Sequence, residues 1–199
     1  MKDARLEQQI RFLLEIDQLK QVERRSYLAD GSRRENSAEH SWHLAMMAVL
    51  LCEHLDDPGI DLLRVMKMLL IHDLVEIDAG DTYAYDPQGQ EDKYDRELAC
   101  ANRLFRLLPE EQRDELMALW QEFEEGISPE AKYAAALDRL QPMLLNYAAQ
   151  GRSWREHGIH SRQVLARQEA IAEVSQKLGD YSRGLIQDAV AKGYLKAQG

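Results

Sequence analysis

Apolar positions recur at helical spacing along nearly the whole chain, and the places where the period fails divide it into elements. Leu6, Ile10, Leu13, Leu14 and Ile16 predict an amphipathic helix over residues 3 to 19. Between residues 20 and 36 the period is lost, and four arginines, Tyr27 and Asp30-Gly31 predict an ordered loop with a turn at Asp-Gly. Asn36 or Ser37 offers a cap for a second helix whose apolar face runs through Leu44, Met47, Ala48 and Leu51 to about Leu55. Asp57-Pro58-Gly59 stops it, and Asp61 opens a third that carries Leu62, Leu63, Val65, Met66, Leu69, Leu70 and Ile71 towards His72. A polar segment from Asp78 to Gln90 follows, with Tyr83, Tyr85, Pro87 and Gly89, and it is the part of the chain best suited to cover a site. Further helices are expected at about 91 to 108, 110 to 125, 129 to 150, 161 to 178 and 182 to 196, separated by proline and glycine. Strict alternation is too short everywhere to nominate a strand, so the expected class is all-α.

A chain of 199 residues suits one sizeable core, and with no linker or repeat the expectation is a single domain over 1–199. No uncharged apolar run is long enough for a membrane span, and Met1 to Arg5 leads into no signal-like apolar core, which gives a cytoplasmic expectation. Cys52 and Cys100 sit in apolar helical contexts without a Cys-x-x-Cys pair and read as reduced thiols. The net charge of −10 argues against non-specific binding to nucleic acid polymers, so an anionic ligand has to be a small one met by a local cationic cluster. Arg24-Arg25 and Arg33-Arg34 form one.

His72 and Asp73 stand side by side at the end of an apolar helical run, where ionisable groups are costly unless paired, hydrogen-bonded or metal-bound. A metal site built on them needs further nitrogen or oxygen ligands. His40, in the first turns of the second helix ahead of its apolar face, is the best candidate, and His43 lies one turn on. Such a pair more commonly joins a ligand to a neighbour that supports it or faces substrate, which is the reading given to His43. Asp138, set among small and large apolar residues from Ala134 to Leu145, is the candidate carboxylate ligand, with a structural ion pair as the plainer alternative. His54 reads as a surface residue, and His157 and His160 as loop or contact residues.

His40, His72-Asp73 and Asp138 in this order resemble the HD-domain superfamily of metal-dependent phosphohydrolases. The segments Arg34-Glu35-Asn36-Ser37-Ala38-Glu39-His40-Ser41-Trp42-His43 and Ile71-His72-Asp73-Leu74-Val75-Glu76, with Gly80-Asp81, are similar more closely to its YfbR-like 5'-deoxynucleotidase branch. The likeness runs from about residue 5 to residue 150, leaving about 151–199 as a helical extension that caps the bundle or builds a dimer. It implies an all-α HD-domain helical bundle, most simply a homodimer, in which His40, His72, Asp73 and Asp138 hold one divalent metal ion per chain. It further implies that Glu76 stands beside the attacking water, Asp81 near the scissile phosphate and sugar, and Arg25 on the phosphate. Ser26 follows Arg25 where some members carry a tryptophan that shapes the sugar pocket. Histidines are lacking between Asp73 and His157, where two-metal members carry extra ones, which favours a single ion.

The implied activity is release of phosphate from 5'-(deoxy)nucleoside monophosphates or a related small phosphomonoester. A divalent ion lowers the pKa of water and offsets phosphoryl charge, and imidazole ligands favour manganese, cobalt or another transition metal over magnesium. Taken without the resemblance, Glu76 and Asp81 also fit simple helix-end solvation. The rival readings are hydrolysis of a nucleoside triphosphate or alarmone, and a non-catalytic module that binds metal or nucleotide.

Overall fold

A computed structural model describes residues 3–197. Asp3 caps α1 (Ala4–Glu15) by accepting from the backbone N–H groups of Arg5 and Leu6. Only Phe12 of this helix is buried, whereas Leu6, Ile10, Leu13 and Leu14 stay exposed, so the stripe that marks the helix is not its core face. A 3₁₀ segment, Ile16–Gln21, carries the chain on.

The region expected to be a loop pairs instead. β1 (Glu23–Tyr27) and β2 (Arg34–Asn36) form an antiparallel hairpin, with Glu23 opposite Asn36, Tyr27 opposite Arg34 and an irregularity between. The expected turn at Asp30-Gly31 is there, with Gly31 at φ +70°. Alternation is invisible in Glu-Arg-Arg-Ser-Tyr because the apolar side chains that would mark it are missing, and the hairpin rests on the helices beneath it. The all-α expectation holds for everything else among the described residues.

Asn36 closes a capping box on α2 (Ser37–Leu51): its side chain accepts from Glu39 N–H at 2.9 Å, and Glu39 Oε2 accepts from Asn36 N–H at 3.2 Å. Asp61 caps α3 (Leu62–Ile71) in the same manner, accepting from Arg64 N–H at 3.1 Å. The α-helix stops at Ile71, so His72 and Asp73 lie in a 3₁₀ turn, His72–Val75, which leads into the short α4 (Glu76–Ala79). Gly80, at φ +74°, ends α4 in a backbone conformation that suits glycine.

After α5 (Pro87–Gln90) come α6 (Lys93–Phe105), α7 (Glu110–Glu125) and α8 (Pro129–Ala148), then α9 (Arg152–Glu156), α10 (Ser161–Ala172) and α11 (Gln176–Ala191). The last two are displaced from the expected 161 to 178 and 182 to 196, because Gly179 lies inside α11 rather than ending a helix. At the centre α2, α3 and α8 pack on one another, burying Leu44, Ala48, Met68, Leu69, Tyr133, Leu137 and Leu140. Tyr133 settles its hydroxyl there by donating to the Ala48 carbonyl at 3.1 Å. α10 packs on both α8 and α11, so the C-terminal segment rests against α8, the helix that carries Asp138. Cys52 and Cys100 are both free thiols. No helix of the described residues is long and apolar enough to cross a membrane.

Candidate metal centre

Three elements converge on one point: the first turn of α2 brings His40, the 3₁₀ turn brings His72 and Asp73, and the middle of α8 brings Asp138. Ligand atoms of His40, His72 and Asp73 lie within 4.8 Å of one another, and all three residues are buried. Asp138 Oδ1 is 2.9 Å from His40 Nε2 and 3.8 Å from His72 Nε2, which closes the set.

Both imidazoles turn Nε2 towards the cluster. His72 Nδ1 donates to the Leu69 carbonyl at 2.9 Å, which leaves the Nε2 lone pair facing the cluster, and that buried nitrogen has no hydrogen-bond partner. An orphaned acceptor amid carboxylates is what a cation site requires. His40 is held from behind: its Nδ1 faces Gln141 Oε1 at 3.1 Å, and Gln141 in turn donates to buried Glu35 at 2.6 Å and to His43 Nδ1 at 3.2 Å. With acceptors at both nitrogens, His40 holds a proton. Burial and the Arg24 charge lower its pKa, but the hydrogen bond to Asp138 and the nearby Glu35 and Asp73 carboxylates raise it to about 9. Against burial, the hydrogen bond and charge of His40 hold Asp138 well below the usual carboxylate range. The donor set of two imidazoles and two carboxylates fits a divalent transition metal.

Arg24 lies across the carboxylates. Its Nη1 is 2.6 Å from Asp73 Oδ2, 3.6 Å from Asp81 Oδ1 and 3.8 Å from Glu76 Oε2, and its Nη2 is 4.0 Å from Asp138 Oδ1. Glu76, one 3₁₀ turn after Asp73, is 5% exposed and accepts from Ser37 Oγ at 2.6 Å. Burial, then the Asp73 and Asp81 charges, raise its carboxyl well above the usual range against the pull of Arg24 and Ser37. Asp81 is raised too, by burial first and by Asp73 and Asp138, with Arg24 and His40 opposing.

The structure therefore brings together His40, His72, Asp73, Asp138, Glu76 and Asp81. It separates two others from them. Arg25, the next residue of β1, forms no ion pair with the described acids of the cluster and lines an adjoining cleft that Asp81 and Asp138 also border. His43 lies behind Gln141 and against Trp42, with ring centroids 6.1 Å apart. Ser37, Glu35 and Gln141 join the site without having been singled out, and Arg24 joins it after being named only with Arg25 in the cationic cluster. Arg24 becomes distinguishable from Arg25 only once the hairpin is known, and Ser37 and Glu35 flank a cap residue that was itself legible.

Two clefts open beside the cluster. One is lined by His72, Asp73, Glu76 and Asp138 together with Lys93, Glu97 and Glu124. The other is lined by Arg25, Asp81, Asn146 and Trp154 and by a wall of residues 82 to 85. That wall is tied down by Arg96, which donates to the carbonyls of Ala79 at 2.7 Å and Gly89 at 3.0 Å and to Thr82 Oγ1 at 3.3 Å.

This chain is similar to several characterised sequences and solved structures. Human 5'-deoxynucleotidase HDDC2 is 32% identical over 136 residues, 68% of this chain and 65% of the human protein, so the chain covers a little under two thirds of that relative. The fission yeast 5'-deoxynucleotidase hdd1 is 27% identical over 135 residues. A crystal structure described as a predicted metal-dependent phosphohydrolase from Magnetospirillum magnetotacticum superposes with a TM-score of 0.89 at 49% identity, covering 97% of this chain and 96% of that one. The PH0347 protein of Pyrococcus horikoshii, at 24% identity and a TM-score of 0.65, shares the fold. A model of the HD domain matches residues 16–179, and the chain belongs to the HD-domain family.

Proposed function

We propose that this protein is a metal-dependent phosphomonoesterase that releases phosphate from 5'-(deoxy)nucleoside monophosphates. The observation that carries the reading is the orphaned His72 Nε2 facing His40, Asp73 and Asp138, with a partly buried arginine and two further acids around it. The names of the human and fission yeast relatives, and that of the Magnetospirillum structure, support it. One divalent ion per chain, manganese or cobalt in preference to magnesium, would be held by His40, His72, Asp73 and Asp138 and would supply a Lewis acid at the phosphoryl group.

Arg24, rather than Arg25, grips the scissile phosphate, because it alone of the two reaches the carboxylate cluster. Glu76 takes the proton of the attacking water as that oxygen bonds to phosphorus, and Ser37 fixes the carboxylate's orientation. Asp81 orients the sugar and returns a proton to the ester oxygen as its bond to phosphorus breaks. The products are inorganic phosphate and a nucleoside. Glu76, buried, and Asp81, partly buried, would have no task in a purely structural metal site, which weighs against a non-catalytic module.

A cytoplasmic homodimer belongs to the same reading. Its support is the exposed apolar residues on α1 and those on α2, where Trp42, Met46, Val49 and Leu50 follow helical spacing. Metal-reconstituted protein assayed against ribo- and deoxyribonucleoside monophosphates, triphosphates and sugar phosphates tests the activity. Phosphate release from the 5'-monophosphates is expected, and release from none of them by metal-loaded protein would leave a binding module.

A further inference from the structure

We propose that the ligand of this centre carries a second anionic group, bound by Arg25, Arg139 and Arg167; the inference rests on the phosphohydrolase reading above and names its substrate class. The three arginines come from β1, α8 and α10 and line the cleft beside the metal centre. Arg139 and Arg167 also border the cleft that holds the ligands. In a chain of net charge −10 about half of the described lysines and arginines form ion pairs, as Arg33 does with Glu39 and Arg103 with Asp78 and Glu15. None of these three makes an ion pair with any described acid, although Asp81 and Asp138 line the same cleft. A neutral sugar and base would leave the charge of these three cleft-lining guanidinium groups unused, whereas a phosphate, with its fork-matched oxygens, would engage it.

The arrangement is held by specific bonds. Gln168 donates to the Arg139 carbonyl at 3.0 Å and accepts from Ser182 Oγ at 3.3 Å, so α10 is locked on α8 with Arg167 beside Arg139. Arg167 reaches the Ala84 carbonyl at 3.5 Å and lies 5.7 Å from the Tyr85 ring centroid, lining the same cleft as Arg25 and Trp154. The cleft also presents Asn146, a buried residue whose Nδ2 is committed to the Pro142 carbonyl at 2.9 Å and whose Oδ1 has no partner. With the amide so fixed, Oδ1 is an acceptor awaiting a ligand hydroxyl or amine. A donor-bearing nucleoside with one phosphate at the metal and another among the arginines satisfies both features. The second phosphate has two sources, a phosphoryl group elsewhere on the sugar or a second one in the 5' chain.

Binding to metal-loaded Glu76→Gln protein, in which turnover is suppressed, separates these cases. The probes are deoxyadenosine 5'-monophosphate, its 3',5'-bisphosphate and its 5'-diphosphate, measured by calorimetry with and without Arg167→Gln. At least one two-phosphate ligand should bind at least about tenfold tighter than the monophosphate, and which one does so identifies the source. Arg167→Gln should bring that ratio to within about twofold, with Arg167→Lys in between as a check that the fold is intact. Equal affinity for all three ligands, with the monophosphate still hydrolysed by the unsubstituted enzyme, overturns this inference alone. Uniform weakening by Arg167→Gln also overturns it and makes the arginines general countercharge to the carboxylates. If no nucleotide binds at all, the nucleotidase reading falls with it.

Discussion

At the scale of single residues, the site works by holding ionisable groups away from their ordinary behaviour. Glu76 is buried beside Asp73 and Asp81, so its carboxyl titrates well above the usual range, and a base that must be ionised gives a rate that rises with pH through that raised value. The acid limb of the pH–rate profile should therefore lie above the ordinary glutamate value of about 4.3. Glu76→Gln should keep metal, as read by metal analysis after desalting, lose about 10²- to 10⁴-fold in kcat and lose that limb from its residual profile. Full turnover in this variant would remove Glu76 from the chemistry. The two adjacent arginines make a sharper comparison. Arg24→Ala should cost about 10- to 100-fold in kcat/KM for a nucleoside monophosphate, the worth of a charge-assisted contact of about 1.5 to 3 kcal/mol, and Arg25→Ala distinctly less. A reversed order would restore Arg25 to the scissile phosphate. The histidines and aspartates were legible because each is an ionisable residue set in an apolar helical context. Arg24 was not, because two neighbouring arginines in a polar stretch differ only through the alternation of a strand whose existence the pattern did not betray.

At the scale of elements, legibility followed the strength of local signals. The starts of α2 and α3 were readable in the caps Asn36 and Asp61, and the start of α8 in Pro129, since these depend on residues within one turn. The hairpin and the α10–α11 boundary depend on packing against distant residues. Gly179 illustrates the second case: a glycine reads as a helix end, yet it lies within α11 because the helix passes so close to α10 that a Cβ would sit 2.7 Å from Ala172 Cβ and 2.9 Å from its Cα. In an exposed helix, glycine to alanine stabilises by about 1 kcal/mol. Here the sign should reverse, and Gly179→Ala should destabilise by about 1 to 3 kcal/mol from overpacking, visible as a lower urea midpoint at unchanged slope. A stabilised variant would show that the crossing can open without cost. The wall of residues 82 to 85 depends in the same way on one residue of α6. Arg96→Ala removes three hydrogen bonds that hold it and should raise KM for a nucleotide with little loss of kcat.

At the scale of the molecule, one cluster of buried side chains runs from Phe12 to Leu195, and the metal centre lies within reach of it rather than on a mobile periphery. Metal binding is therefore coupled to global stability, in proportion to the excess of free ion over its dissociation constant. At a hundredfold excess the gain is about 2.7 kcal/mol, which for a chain of this size raises Tm by about 5 to 10 °C over chelated protein. The pH dependence of that difference follows from His40. Without metal its folded-state pKa is raised to about 9 from an ordinary value of 6.5, so the proton shared with Asp138 stabilises the fold fully below pH 6.5 and is lost as pH rises towards 9. Asp138, held low, stays ionised throughout this window and adds no slope of its own. A cation at Nε2 replaces that proton, so metal-loaded protein should lack this loss. The Tm difference between loaded and chelated protein is accordingly expected to widen between pH 6.5 and 9, and metal uptake near pH 7 to release a proton, read by calorimetry in buffers of different ionisation enthalpy. His40→Ala should abolish both effects. A Tm difference independent of pH, with no proton released, would mean that His40 is neutral before the metal arrives and that the Asp138 contact is not an ion pair.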